Sequence, residues 1–224
     1  MHNKDCLILF IRFPEKENTK SRLQKSLDSE FVLTLYKCFV LDILNTIKKT
    51  SLPLKIFFTP AHNLSKVKEW LGTSYPYIPQ EGLELGERMK NAFLQTFSYG
   101  YSKAILIGSD IPNISEHTIK DAFKLKAFDA VIGPSFDGGY YLIGFKKDKF
   151  LPNIFEDIEW GKNNVYQKTI EKLMMNKYKF KILQKYRDID TIEDLKALFL
   201  ENKHTEFSNS NTMKLLLSNE MRFL

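Results

Sequence analysis

The stretch that decides the fold is Ala104-Ile105-Leu106-Ile107-Gly108-Ser109-Asp110-Ile111-Pro112. Its apolar half has no polar alternation, which predicts a strand covered on both faces, as in a parallel sheet packed between helices. The run stops abruptly at Ser109-Asp110. Pro112 biases Ile111 toward extended geometry and keeps the strand from running straight into a helix. An Asp just beyond the carboxyl end of such a strand faces the crevice where open α/β sheets bind ligands. There a carboxylate can hold Mg²⁺ or Mn²⁺ against a diphosphate, because hard cations take carboxylate and phosphate oxygens together. Asp110 can equally cap a turn, and on these residues alone both readings stand.

Outward from this point, strands alternate with helices. Cys6–Ile11 and Leu54–Phe58 are further apolar runs, and Ala130–Ile132, Tyr140–Phe145 and Tyr178–Leu183 read as later strands. Val32, Leu35, Tyr36, Phe39, Ile43 and Ile47 recur at helical spacing. Shorter helices are expected over Leu64–Leu71, from Leu85 to a stop at Gly100, from an N-cap at Ser115 to Leu125, and over Asn164–Met175. Pro76 and Pro79 mark a loop, and Thr191-Ile192-Glu193-Asp194 opens a last helix with a capping-box pattern. The order implies one three-layer α/β/α domain over residues 1–200 with a mostly parallel central sheet. Residues 201–224 read as a polar tail, partly disordered or docking a short helix on a partner.

Composition narrows the function classes. The chain has 224 residues, 43% of them hydrophobic, enough for one well-filled core. The net charge of +6 fits either a lysine-rich surface or a phosphate-rich ligand. No nucleic-acid-binding module is found. Cys6 and Cys38 read as reduced core residues. The apolar runs are too short to span a bilayer, and the first lacks the cleavage site of a signal peptide, so the cytoplasm is the expected compartment. P-loop, dinucleotide and nucleophile-elbow motifs are missing, and the four histidines are scattered. The oligomeric state is not readable.

Four constellations carry the chemistry. Besides Ser109-Asp110, there is Gly133-Pro134-Ser135-Phe136-Asp137-Gly138-Gly139-Tyr140-Tyr141. Its glycines Gly138 and Gly139 permit close approach of a ligand to the backbone, with Tyr140 beside them. Asp137 can share a crevice with Asp110, or the segment can be a plain Asp-Gly hairpin turn. The stretch after the first strand carries Arg12, Lys20 and Arg22, cations suited to phosphate oxygens. Finally, Gln80 to Met89, with Gly82 and Gly86, reads as a loop and helix start pressed against something.

These pieces together resemble a bacterial family of GT-A-like transferases, the nucleotide-diphospho-sugar or arsenosugar-biosynthesis type glycosyltransferases. The match runs from about Leu7 to Leu198: Pro14 with Lys20-Ser21-Arg22-Leu23, Gln80 with Leu85-Gly86-Glu87-Arg88-Met89, Gly108 to Pro112, Gly133-Pro134 with Asp137 to Gly144, Trp160, and Asp188-Ile189-Asp190-Thr191. Lys20-Ser21-Arg22-Leu23 is also similar to the phospholactate guanylyltransferases. The resemblance implies a GT-A nucleotide-binding sheet, with Asp110 at the divalent-metal carboxylate. Asp137 is a second metal ligand or the base, and Gln80, Gly86 and Ser109 lie on the nucleotide with Arg12, Lys20 and Arg22. Trp160, Gly138, Gly139 and Tyr140 lie on the substrate side. Two departures stand out: Glu17 occupies a glycine position, and Gly161-Lys162 replaces a hydroxyl residue. Asp188 and Asp190 can reach the site, or cap the last helix. The leading expectation is glycosyl transfer from a nucleotide-sugar to a small-molecule acceptor. The alternatives are nucleotidyl transfer from an NTP with release of pyrophosphate, and a non-catalytic nucleotide-binding module.

Overall fold

The run Cys6–Ile11 becomes the inner strand β1 (Asp5–Arg12) of a computed structural model that describes residues 5–16 and 18–223. Along β1 the side chains divide between two cores. Leu7, Leu9 and Ile11 face one, and Ile8 and Phe10 face the other. A strand with helices on both faces needs apolar residues at every position, which is why the sequence shows no alternation there.

The remaining strands are β2 (Leu54–Thr59), β3 (Tyr77–Pro79), β4 (Lys103–Ile107), β5 (Ala130–Pro134), β6 (Tyr140–Lys146) and β7 (Phe180–Ile182). They form one seven-stranded sheet in the order β3-β2-β1-β4-β6-β5-β7. All neighbours pair in parallel except around β6, which runs antiparallel to both β4 and β5. The reversal follows from chain length. Only residues 135–139 join β5 to β6, too few for a crossover, so the connection is a hairpin. The mostly parallel expectation therefore holds, and the hairpin reading of the Asp-Gly-Gly segment holds with it.

One face of the sheet carries α1 (Ser29–Thr50), α2 (Leu64–Leu71), α4 (Glu116–Ala122), α6 (Ile192–Asn202) and α7 (Asn211–Leu217). The other carries α3 (Leu85–Ser98) and α5 (Val165–Met175). Caps fix the helix starts. Asp28 accepts from the amides of Glu30 and Phe31 at α1, Ser115 accepts from Thr118 at α4, and Thr191 and Asp194 form the expected capping box at α6. Cys6 is buried, Cys38 half-buried, and the two are unlinked. Among the described residues no helix is long and apolar enough to cross a membrane.

Two expectations need correction. Pro76 and Pro79 bound a strand rather than a loop. β3 lies at the sheet edge and pairs on one side only, so prolines that lack an N–H fit there. Residues past 201 are not a loose polar tail. Met213 and Leu216 of α7 are fully buried in the core under α1. Asp42 of α1, itself 5% exposed, accepts from the Asn211 amide at 2.9 Å, the Asn211 side chain at 2.7 Å and the Thr212 amide at 2.8 Å. A carboxylate on one helix thus satisfies the amides that open another.

Removing that carboxylate leaves buried amides without an acceptor. Asp42→Ala is expected to lower unfolding free energy by about 2–3 kcal/mol in urea titrations. It should also strip hydrogen-exchange protection from residues 211–217 before the sheet loses any.

Candidate active site where β1 and β4 end

β1 and β4 end side by side, and the loops that leave them meet. Ser109 and Asp110 follow β4, and the Asp110 carbonyl accepts from the Ile189 amide at 3.0 Å, which draws the segment before α6 across the strand tips. Lys20, in the loop after β1, has a left-handed backbone with φ of 50°. That conformation is costly for a side chain other than glycine. It accompanies an Nζ that lies 2.6 Å from Asp110 and 2.7 Å from Asp190. The Lys20 side chain is 6% exposed, so the ammonium sits between the carboxylates almost without water. Burial alone would drive its pKa down, but the two carboxylates outweigh it and hold the pKa above the usual lysine range.

The loop carrying Lys20 is held by its own contacts. The Thr19 hydroxyl bonds with the Glu15 backbone, Gln24 donates to the Lys16 and Thr19 carbonyls, and Arg12 Nη1 donates to the Asn18 carbonyl. Beneath it the Tyr36 hydroxyl of α1 meets the Arg12 amide at 3.0 Å and Ser109 Oγ at 2.9 Å.

Two compartments open from this junction. The smaller, about 310 Å³, is bounded by Asn18, Thr19, Lys20, Ser21 and Arg22 and is basic. The larger, about 410 Å³, is bounded by Gln80, Arg88, Met89, Tyr140 and Trp160, among others, and is mainly apolar. Arg12, Ser109, Asp110 and Asp190 border both. Gln80 is oriented by donating Nε2 to the Ile11 and Phe57 carbonyls at 3.2 and 3.0 Å, which leaves its Oε1 as an acceptor. Tyr140 packs edge-on against Trp160, and burial raises its phenol pKa.

Most of the residues singled out from sequence thus come together: Arg12, Lys20, Arg22, Gln80, Ser109, Asp110, Asp137, Gly139, Tyr140 and Trp160 border one compartment or the other. Gly86 and Gly138 do not. A Cβ on Gly86 would lie 2.5 Å from the Trp160 indole nitrogen and 2.7 Å from the Phe155 carbonyl, so that glycine makes room for the tryptophan. A Cβ on Gly138 would lie 1.9 Å from the Asn163 carbonyl, and its φ is 90°. Both are packing glycines. Asp137 borders the larger compartment together with Asp110. Its Oδ1 accepts from Ser135 Oγ and, at 2.9 Å, from the Gly139 amide, so it braces its own hairpin turn. The partner that Asp110 shares is Asp190. The capping alternative for Asp188 and Asp190 is overturned, because the capping box uses Thr191 and Asp194 and leaves the Asp190 carboxylate for Lys20. Glu17 lies outside the described residues. Gly161 has φ of 86°, and Lys162 beside it borders the larger compartment.

Among the described residues no group of three or more His, Cys, Asp or Glu side chains is assembled to hold a metal. Asp110 and Asp190, however, flank one cation at hydrogen-bond distance. Two carboxylates around one positive charge suit Mg²⁺ or Mn²⁺, which commonly take one or two protein carboxylates and fill the rest with phosphate and water. The donor set therefore fits such an ion. Beside this cluster, burial and then the charge of Asp137 push the Asp188 carboxyl up to about 6.

The sheet order, the reversed β6 and the strand-tip cleft define a GT-A-like α/β/α fold, which solved structures share. A nucleotide-diphospho-sugar transferase from Desulfovibrio desulfuricans G20 superposes with a TM-score of 0.96 at 39% identity, over 98% of this chain and 96% of the other. The manganese complex of Rv0371C from Mycobacterium tuberculosis H37Rv shares the fold at a TM-score of 0.54 and 13% identity, over 88% and 98% of the two chains. The chain belongs to DUF2064, described as an uncharacterized protein conserved in bacteria, whose profile matches residues 43–162. It is also 31% identical over 121 residues to the 2-phospho-L-lactate guanylyltransferase of Methanocaldococcus infernus, covering 52% of this chain. The match spans about half the length of that relative, 53%.

Two measurements follow from the geometry. Gly138→Ala must displace backbone as well as adopt a left-handed conformation, and is expected to cost about 3 kcal/mol or more. Gly161→Ala has open space around it and should cost only about 1–2 kcal/mol; equal losses in thermal melts would contradict the packing role of Gly138. Asp188 is an acid whose folded pKa, about 6, exceeds its ordinary value of about 3.9. The folded state therefore binds more protons in that window, and this residue's contribution to stability falls as pH rises through it. Asp188→Asn is expected to gain about 1 kcal/mol near pH 7.5 and nothing near pH 3, as read by urea denaturation at both pH values.

Proposed function

We propose that the chain is a metal-assisted nucleotidyltransferase that takes a nucleoside triphosphate and a small acceptor and releases pyrophosphate. The observation carrying this reading is the separate basic compartment beyond the Asp110–Asp190 junction. A nucleotidyl donor needs such a place, because the leaving group is a pyrophosphate that must be gripped apart from the acceptor. In this reading the α-phosphate lies at the junction and Arg22 meets the β- and γ-phosphate oxygens, joined by Lys20 once a metal ion takes its place between the two carboxylates. The acceptor enters through the larger compartment, past Tyr140 and Trp160. Its oxygen forms a bond to the α-phosphorus as the bond to the pyrophosphate oxygen breaks. For a hydroxyl acceptor, Asp137 or Asp188 would take the proton. Asp110 and Asp190 would hold Mg²⁺ or Mn²⁺, which when bound offsets charge on the departing phosphates. The guanylyltransferase relative supports the same reaction class and makes GTP the first donor to test.

Glycosyl transfer from a nucleotide-sugar is the second reading, favoured by the 39%-identical relative named as a nucleotide-diphospho-sugar transferase. The same diphosphate grip would serve, with a nucleoside diphosphate as leaving group.

Phosphorus NMR on reactions with Mn²⁺ and an acceptor panel separates the two. Pyrophosphate from GTP or another NTP is expected, whereas free nucleoside diphosphate from a nucleotide-sugar would transfer the assignment to the second reading. Asp110→Ala and Asp190→Ala should each lower turnover by about 100- to 1,000-fold. Chelation should abolish it, with recovery on adding Mn²⁺.

A further inference from the structure

Below the strand tips a short chain of hydroxyl groups leads from buried backbone to the ligand junction. The Arg12 amide can only donate, so at 3.0 Å it donates to the Tyr36 hydroxyl oxygen. Tyr36 and Ser109 are 2.9 Å apart, and either could donate by distance alone. Burial decides the direction. Tyr36 is 4% exposed, and among the described residues its hydroxyl has no hydrogen-bond partner beyond Arg12 and Ser109. Were Ser109 the donor, the phenolic proton would be buried without an acceptor, a cost comparable to a lost hydrogen bond. Tyr36 therefore donates to Ser109. Burial, joined by the charge of Asp110, also pushes the phenol up to about 12, so the proton stays on Tyr36 at neutral pH. With its oxygen occupied, Ser109 must aim its own proton elsewhere. Ser109 is 7% exposed and borders both compartments.

We propose that Tyr36 is a positioning residue that fixes the polarity of this chain, so that Ser109 presents a hydroxyl donor to a phosphoryl oxygen at the junction between the compartments. Because the Tyr36–Ser109 bond ties α1 to the end of β4, the donor would be aimed before any ligand arrives. The ligand chemistry rests on the nucleotide-phosphate reading given above.

The test is a double-mutant cycle on binding, with inorganic pyrophosphate and GTP titrated calorimetrically in the presence of Mn²⁺. Ser109→Ala is expected to weaken binding about 10-fold and Tyr36→Phe about 3- to 5-fold, with the double variant no weaker than Ser109→Ala alone. Ser109→Thr, which keeps the hydroxyl, should stay within about 2-fold of the parent. A Tyr36 that merely packs would give the same loss in both backgrounds, and that additivity overturns the relay while leaving the nucleotide reading intact. Equal binding by the Ser109→Ala and Ser109→Thr variants overturns it as well, and this arm does not depend on Tyr36→Phe folding. A parent protein that binds neither pyrophosphate nor GTP overturns the relay together with the nucleotide reading.

Discussion

The ammonium of Lys20 between Asp110 and Asp190 is the contact on which the site depends. It joins three segments far apart in the chain: the loop after β1, the end of β4 and the entry to α6. Buried ion pairs are weak stabilisers, since desolvation offsets most of the attraction. Here the backbone of Lys20 is strained as well. An arrangement that contributes little to stability and carries local strain is better explained by the charge it keeps in place. It marks a place where two carboxylates call for positive charge.

The scaffold makes that concentration of charge possible. Two helical layers leave the carboxyl ends of β1 and β4 uncovered, and the crevice forms there. The reversed strand β6 has a separate consequence. Its hairpin brings Ser135, Asp137 and Gly139 to the border of the larger compartment, so that part of the cleft is built by a turn rather than by a strand tip. The two halves of the cleft thus have different mechanical origins. The Lys20 side is held by strand ends and a buried ion pair, the other by a short loop braced through Asp137.

The layers and most elements were legible in the sequence because apolar runs and helical spacing report burial directly. The strand β3 was not, since two prolines mask an edge pairing that needs hydrogen bonds on one side only. Helix α7 could be read only as a loose end or a helix for a partner, because its first amides are satisfied within this chain by Asp42, a polar residue some 170 positions away. At the site, Lys20, Arg22 and Asp110 could be read because chemistry and position agreed. The sharing of Asp190 could not, because a carboxylate just ahead of a capping box looks like part of the cap. Gly86 and Gly138, which border neither compartment, could not be placed for a related reason: a glycine demanded by a neighbouring indole or carbonyl leaves the same mark in sequence as one that admits a ligand.

The contact between Gly86 and Trp160 reaches beyond packing. The start of α3 and the turn after residue 158 lie far apart in the chain, yet they interlock through one shared volume. Neither position can change in size alone. A descendant sequence that replaces the indole with a smaller group opens space for a side chain at position 86, and one that gains a side chain at 86 must surrender the indole. The two positions should therefore drift together through evolution, and the shape of that wall of the larger compartment would be inherited as a matched pair.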